Sequence, residues 1–231
     1  MLELVESLSA LRDWEDVPAE TLRRFAALAH RVHTGRDQAL FRRGDPDPGL
    51  FVVASGEYKV SMLSTTGREQ IVGLVDAGKL VCDGYGGTRG HSRVSVVARE
   101  AASAWQFPAH AVKLACRQDA SLSAAVAETI AHRCNRVLDL VYDLSLRSVE
   151  QRVAAFLHHL AQRIPAAADG SVIIPRELNV NTVAGMLGTT REELTRTQSR
   201  LQKANLIAVT RHQLRLLDLP ALERLADGAG A

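Results

Sequence analysis

The alternation of apolar and polar positions divides the chain into a strand-rich half and a helix-rich half. Near the start, Pro18 is followed by AETLRRFAALAHRV, where Leu22, Phe25, Ala26 and Leu28 recur at helical spacing. This predicts a short amphipathic helix begun by a proline near its first turn. From Asp37 to Pro108 the pattern changes. LFVVAS, EYKVSML, EQIVGLV, RVSVVA and ASAWQF are short runs rich in Val, Ile, Phe and Leu, separated by the turn clusters GDPDPG, STTG and DAG. Strands at that spacing predict an antiparallel barrel or sandwich.

Beyond Pro108 the strand signal ends. Residues 121–146, SLSAAVAETIAHRCNRVLDLVYDLSL, contain no Gly or Pro and predict one long helix. Within it Val126, Ile130, Val137, Leu140 and Leu144 lie near coiled-coil spacing, leaving Glu128, Arg136, Asp139 and Asp143 on other faces. A helix of this length is expected to cover both the barrel and a second helix, so these five residues form the predicted interface of a homodimer. The simpler alternative is that the stripe packs only on the barrel. A further helix over SVEQRVAAFLHHLAQRI, a PAAADG loop and a short strand, VIIP, lead into a helix, a turn, a helix and a hairpin.

The last part carries clear punctuation. In LNVNTVAGMLG an asparagine stands where it can cap a helix, Val183, Ala184 and Leu187 form an apolar set, and Gly188 suits the turn. Small Ala184 lets the next helix approach. TTREE then supplies a Thr-x-x-Glu capping box whichever threonine caps, and Leu194, Leu201 and Thr197 give the second helix its buried side. These boundaries predict a helix-turn-helix with a recognition helix from about Thr190 to Ala204. Its exposed face carries Arg191, Glu192, Thr195, Arg196 and Ser199, with Arg200 and Lys203 further along. Arginine can bond both guanine acceptors in the major groove and glutamate can accept from the cytosine amino group, so the N-terminal half is suited to reading base edges. Arg200 and Lys203 are placed for phosphates, as is Arg211 in the hairpin that follows. A solvated charged face is the simpler alternative.

Charge supports the reading only when divided along the chain. The net charge is +2, but residues 147–231 hold eleven Lys and Arg against eight Asp and Glu, and residues 190–215 hold six against two. Positive charge thus gathers where a DNA-facing surface needs it. Composition is ordinary for a globular protein, no apolar run reaches membrane-spanning length, and the acidic opening MLELVESLSALRDWEDV lacks the basic start of a secretory signal. A cytoplasmic protein without membrane contact is expected. The three cysteines, Cys82, Cys116 and Cys134, form no C-x-x-C pair and encode no disulfide framework or thiolate metal site. Adjacent His158 and His159 point about 100° apart on a helix and cannot share a metal, and Asp45 and Asp47 are explained by turn formation beside proline. No catalytic constellation is present.

The order of elements resembles the CRP/FNR superfamily of bacterial regulators: an antiparallel β-roll, a long dimer helix and a winged helix-turn-helix. The resemblance spans nearly the whole chain. LFRRGDPDPGLFVVASGEYKVSMLSTTGREQIVGLVDAGKLV is similar to the family's β-roll signature, and LNVNTVAGMLGTTREELTRTQSRLQKANLI to its helix-turn-helix. It implies an α+β chain with a jelly-roll-like sensor domain at 1–115, a dimerisation helix at 116–146 and a DNA-binding domain at 147–231. It also implies double-stranded DNA and RNA polymerase as partners. Arg191, Glu192 and Arg196 fall on base-reading positions, with a spacing similar to the catabolite-activator branch, implying an inverted repeat with a G·C-rich half-site core.

The same resemblance directs attention to the sensor domain. Family members that hold a cyclic nucleotide use Phe-Gly-Glu and, about ten residues later, Arg-Ser. Here Cys82 replaces the glycine, Asp83 shortens the carboxylate arm, and Arg93, preceded by Ser92, is followed by Val94. Val137 and Leu138 stand where the cyclic-AMP branch has hydroxyl residues for the adenine, and they make no such hydrogen bonds. Cyclic AMP is therefore not the expected ligand. With no cysteine before Cys82, the four-cysteine iron–sulfur cluster of the oxygen-sensing branch is excluded. Haem is a third option, because the carbon-monoxide sensor of the family has a cysteine ligand where Cys82 stands, although its second ligand is Gly84 here and His91, His110 or His132 would have to substitute. Cys82 as an inert packing residue and as an oxidisable thiol remain alongside. The alternative of another class is a β-roll module acting through protein partners without DNA.

Overall fold

The computed structural model describes residues 1–82, 90–162, 164–175 and 178–228. In chain order these form α1 (Leu2–Ser9), a single 3-10 turn (Arg12–Trp14), α2 (Ala19–Ala26), β1 (His30–Thr34), β2 (Ala39–Phe41), β3 (Leu50–Ser55), β4 (Glu57–Leu63), β5 (Glu69–Asp76), β6 (Leu80–Val81), β7 (Ser95–Ala98) and β8 (Ala102–Phe107). Then follow α3 (Ala109–Gln118), α4 (Ala120–Leu146), α5 (Val149–Ala161), β9 (Val172–Pro175), α6 (Val180–Met186), α7 (Arg191–Lys203), β10 (Ile207–Val209), β11 (Gln213–Leu216) and α8 (Leu219–Ala226). The chain divides into two compact units, Met1–Val137 and Leu138–Ala231, with the division inside α4.

In the first unit two four-stranded sheets, ordered β1-β8-β3-β6 and β2-β7-β4-β5, are antiparallel throughout. The five strands expected from the pattern are β3, β4, β5, β7 and β8. β3 is buried on both faces, which explains why LFVVAS reads as a continuous apolar run rather than an alternating one. Phe51 and Val53 join Tyr58, Val60 and Val96 between the sheets, while Leu50 and Val52 join Leu4, Leu8, Phe25 and Leu122 on the helix-covered side. Phe25 stacks on Phe107 at 4.3 Å between ring centroids, and the Trp14 indole N–H donates to Thr129 Oγ1 in α4 at 3.0 Å. Gly56, at φ 75°, turns β3 into β4 where a side chain would run into Ala102.

Two expectations change here. The helix after Pro18 stops at Ala26, and His30–Thr34 is a strand, because each of its residues pairs with β8, from His30 opposite Gln106 to Thr34 opposite Ala102. Val126, expected on the dimer stripe, is buried with Leu122 and Ala125 in the first unit's own core. That part of α4 packs on its own chain.

The second unit packs α5, α6, α7 and α8 with a three-stranded antiparallel sheet, β10-β11-β9, around Val153, Leu157, Ala184, Leu194, Leu201 and Leu216. α5 starts with a closed capping box: Ser148 Oγ accepts from Gln151 N, and Gln151 Oε1 accepts from Ser148 N.

Candidate nucleic-acid interface

The local chemistry of the helix-turn-helix follows its sequence. Asn179 Oδ1 accepts from Thr182 N at 2.8 Å and starts α6. Gly188, at φ 60°, supplies the left-handed turn, and Thr189 N donates back to Ala184 O. Thr190 Oγ1 accepts from Glu193 N at 3.2 Å and starts α7. At the other end Asn205 takes the left-handed position at φ 56° while Leu206 N bonds to Leu201 O. The capping box expected at Thr190 is only half made. The Glu193 carboxylate does not return to the Thr190 amide but pairs with Arg196 at 2.6 Å and Arg200 at 3.2 Å.

Leu194, Thr197 and Leu201 are buried to 1 % exposure or less, so they fix the rotation of α7 about its axis. That rotation leaves Arg191, Glu192, Thr195, Arg196, Ser199, Arg200 and Lys203 exposed together. The Thr195 and Ser199 hydroxyls donate back to Arg191 O and Thr195 O, which leaves their oxygens as acceptors toward solvent. The Glu192 carboxyl is held below the usual glutamate range, first by its own backbone amide at the helix start and then by the Thr190 hydroxyl. It presents as an acceptor. Arg200 departs from a free phosphate-seeking side chain: besides Glu193 it bonds Thr197 Oγ1 at 3.0 Å and faces Glu150 of α5 at 3.7 Å. A concave surface of about 420 Å³ is lined by Asn179, Asn181, Arg191 and Arg211, joining the start of α6, the start of α7 and the hairpin tip. Asn181 carried no signal that singled it out in the sequence.

On α4, Ile130, Val137 and Leu144 of the expected stripe are exposed, while Leu140 is half-buried. Val141, Leu138 and Tyr142 are exposed beside them. Exposed Cys134 and Val141 complete a four-three alternation of Ile130, Cys134, Val137, Val141 and Leu144, in place of the stripe through Val126 and Leu140 that the sequence predicts.

Of the residues expected to form an effector pocket, Cys82, Ser92, Arg93, Val137 and Leu138 are described. Cys82 packs in the helix-covered core, whereas Val81 and Val94 lie between the sheets. Ser92 is buried and its hydroxyl has no partner among the described residues, Arg93 is exposed, and Asp83 and Gly84 lie outside the described residues. Burial pushes the Cys82 thiol up, with Arg133 and Arg136 of α4 opposing it in part. His91 shares a hydrogen bond with Gly44 O, His132 with Asp13 of the 3-10 turn, and His110 is exposed on α3. Among the described residues no three His, Cys, Asp or Glu side chains converge on a metal position. The histidines named as alternative ligands opposite Cys82 thus make contacts within the protein or face solvent. No described helix is long and apolar enough to cross a membrane.

Residues 151–225 match the Crp-like helix-turn-helix domain and residues 31–119 the cyclic nucleotide-binding domain. The nitrogen fixation regulation protein FixK of Bradyrhizobium diazoefficiens is 27 % identical over 208 residues, covering 90 % of this chain and 86 % of its own. The fumarate and nitrate reduction regulatory protein of Escherichia coli K12 is 28 % identical over 196 residues, covering 83 % of this chain and 76 % of its own. The chain belongs to the CRP/FNR superfamily of transcription regulators. Solved structures agree on the fold of this CRP/FNR protein. FixK2 from Bradyrhizobium japonicum aligns with a TM-score of 0.69 at 20 % identity, over 85 % of this chain and 96 % of that one. A CooA variant from Carboxydothermus hydrogenoformans aligns with a TM-score of 0.73 at 19 % identity, over 87 % and 89 %. The α+β architecture expected from the sequence is thereby established, with antiparallel sheets, a long helix and a winged helix-turn-helix.

Proposed function

We propose that this CRP/FNR regulator acts in the cytoplasm as a homodimer that binds inverted repeats in double-stranded DNA and works with RNA polymerase. The observation that carries the reading is the rotation of α7: three buried residues, Leu194, Thr197 and Leu201, leave Arg191, Glu192, Thr195, Arg196 and Ser199 on one exposed face. Arg191, Glu192 and Arg196 read base edges; Arg200, Lys203 and Arg211 meet phosphates. Residues 116–146 supply the dimer contact through the exposed stripe of α4, and pairing two copies sets the recognition helices about one helical turn of DNA apart, near 34 Å. Residues 147–231 bind DNA, and residues 1–115 sense the signal. Neither cyclic AMP nor an iron–sulfur cluster supplies that signal, and the position of Cys82 in the core favours a packing role over thiolate chemistry.

Selection from a random duplex library, followed by fluorescence anisotropy on the recovered sequence over a range of salt, tests this. Enrichment of an inverted repeat whose half-sites lie one turn apart, with affinity falling steeply as salt rises, is expected. Recovery of no palindrome, with random duplex competing equally, would sink the reading.

A further inference from the structure

Glu193 combines three features on α7. Its backbone N–H completes the Thr190 cap, so its carboxylate is not needed there. The two carboxylate oxygens take different arginines: Oε2 lies 2.6 Å from Arg196 Nη2, and Oε1 accepts from Arg200 Nη2 at 3.2 Å. The carboxylate is also the deeper partner, with a side chain 29 % exposed against 71 % for Arg196, so it holds the guanidinium from behind and leaves its outer edge toward solvent.

Exposed ion pairs contribute little to folding, so stability does not account for this arrangement. Recognition does. A free arginine is a long side chain with many rotamers, and it binds any phosphate within reach. One fixed by a carboxylate behind it presents its remaining N–H groups in a set plane, with less ordering left to occur on binding. The same carboxylate offsets part of the positive charge of Arg200, which Glu150 of α5 approaches from the other side at 3.7 Å.

We propose that Glu193 is a positioning residue for sequence discrimination: it orients Arg196 for base reading and restrains that arginine from non-specific phosphate binding. The proposal rests on the reading of Arg196 as a base contact. It assigns Glu193, which lies between the base-reading face and the core, the part of a specificity determinant that does not itself touch DNA.

The test compares the full-length wild-type protein, Glu193→Gln and Arg196→Ala by fluorescence anisotropy on the selected inverted repeat and on random duplex over a range of salt. Glu193→Gln keeps the side-chain shape and the Thr190 cap, and thermal unfolding verifies that the fold is intact. Its preference for the selected site over random duplex is expected to fall by about tenfold, approaching that of Arg196→Ala. Binding to random duplex tightens, and the salt slope steepens by about one per protomer as a phosphate-seeking charge is released. A discriminating wild type with a Glu193→Gln variant that matches it in preference and slope overturns the proposal alone, as does a variant weakened equally on every duplex. A wild type that binds both duplexes equally overturns the proposal together with the DNA-reading assignment.

Discussion

The guanidinium of Arg152, on α5, is bonded to the end of the first helix of the helix-turn-helix: its Nε donates to Leu187 O at 2.8 Å. Nη1 donates to Arg147 O at 2.8 Å and to Asp143 O at 3.4 Å, at the C-terminal end of α4. One cation thus serves the carbonyl ends of two helices, where aligned peptide dipoles leave partial negative charge. With Arg152 only 9 % exposed, these carbonyls help make its burial tolerable. The arrangement links the last turn of the long helix to the turn that presents α7.

Replacing Arg152 with Met keeps most of the stem volume but removes every donor. Buried carbonyls then lose charge-assisted bonds, and the second unit is expected to lose about 3 kcal/mol of stability. Arg152→Lys retains the charge without the fork geometry, so a loss of roughly half that is expected. Urea unfolding of the variants checks both values, and a Met variant as stable as wild type would show that water replaces the guanidinium at no cost.

Asp119 gives the first unit an acid sensitivity whose sign is fixed. Its carboxylate accepts from Ser121 Oγ at 2.6 Å, Thr21 Oγ1 at 2.6 Å and Leu122 N at 3.2 Å, tying α2 to the start of α4. The Ser121 hydroxyl first, then Thr21 and the Leu122 amide, lower its pKa from the ordinary 3.8 to about 2. A group lowered on folding stabilises the protein above its unfolded pKa and loses that contribution as pH falls through the folded one. Stability attributable to Asp119 should therefore be complete above pH 4 and disappear toward pH 2. Asp119→Asn, which cannot ionise, should flatten the stability profile in that window, as measured by denaturant midpoints at stepped pH; an unchanged slope would remove Asp119 from the account.

What the sequence made legible was whatever it punctuates locally. β3, β4, β5, β7 and β8 lie between turn clusters, and α6 and α7 are bracketed by Asn179, Gly188, Thr190 and Asn205, so their limits could be read from residue types. β1 was missed because its identity depends on pairing with β8, more than sixty residues away, and that pairing overrides the helical spacing before it. The stripe of α4 was visible but its partner was not. Periodicity states that a face is buried, not by which surface, and Val126 proved to be covered by its own chain. For Glu193 the capping pattern alone accounts for a glutamate at that position, so the pairing with Arg196 has no separate signal in the sequence.

The division of α4 predicts that two valines on one helix have different effects. Val126 is 5 % exposed in the first unit's core and Val141 is 52 % exposed. Val126→Ala should lower folding stability by about 2 kcal/mol through a cavity and lost burial while leaving the association state unchanged. Val141→Asp should leave the fold intact and shift sedimentation from dimer to monomer, because a charge buried across a helix pair lacks a partner. A monomeric wild type, or a Val141→Asp variant that sediments as wild type, would place the dimer contact elsewhere.

Arg196 and Lys203 provide the last contrast, because they stand on one helix at different distances from its start. Arg196 is in the N-terminal half of α7, where a recognition helix enters the major groove, whereas Lys203 ends the helix among exposed residues. Arg196→Ala should reduce discrimination at one base pair of each half-site by about 1–3 kcal/mol while leaving binding to random duplex nearly unchanged. Lys203→Ala should weaken all duplexes alike and reduce the salt slope by about one for each protomer's lost phosphate contact. Anisotropy titrations on matched and singly substituted sites at several salt concentrations separate the two. Identical profiles for both variants would mean that α7 does not meet DNA by its N-terminal half, since only entry by that end places one residue at base edges and leaves the other at the backbone.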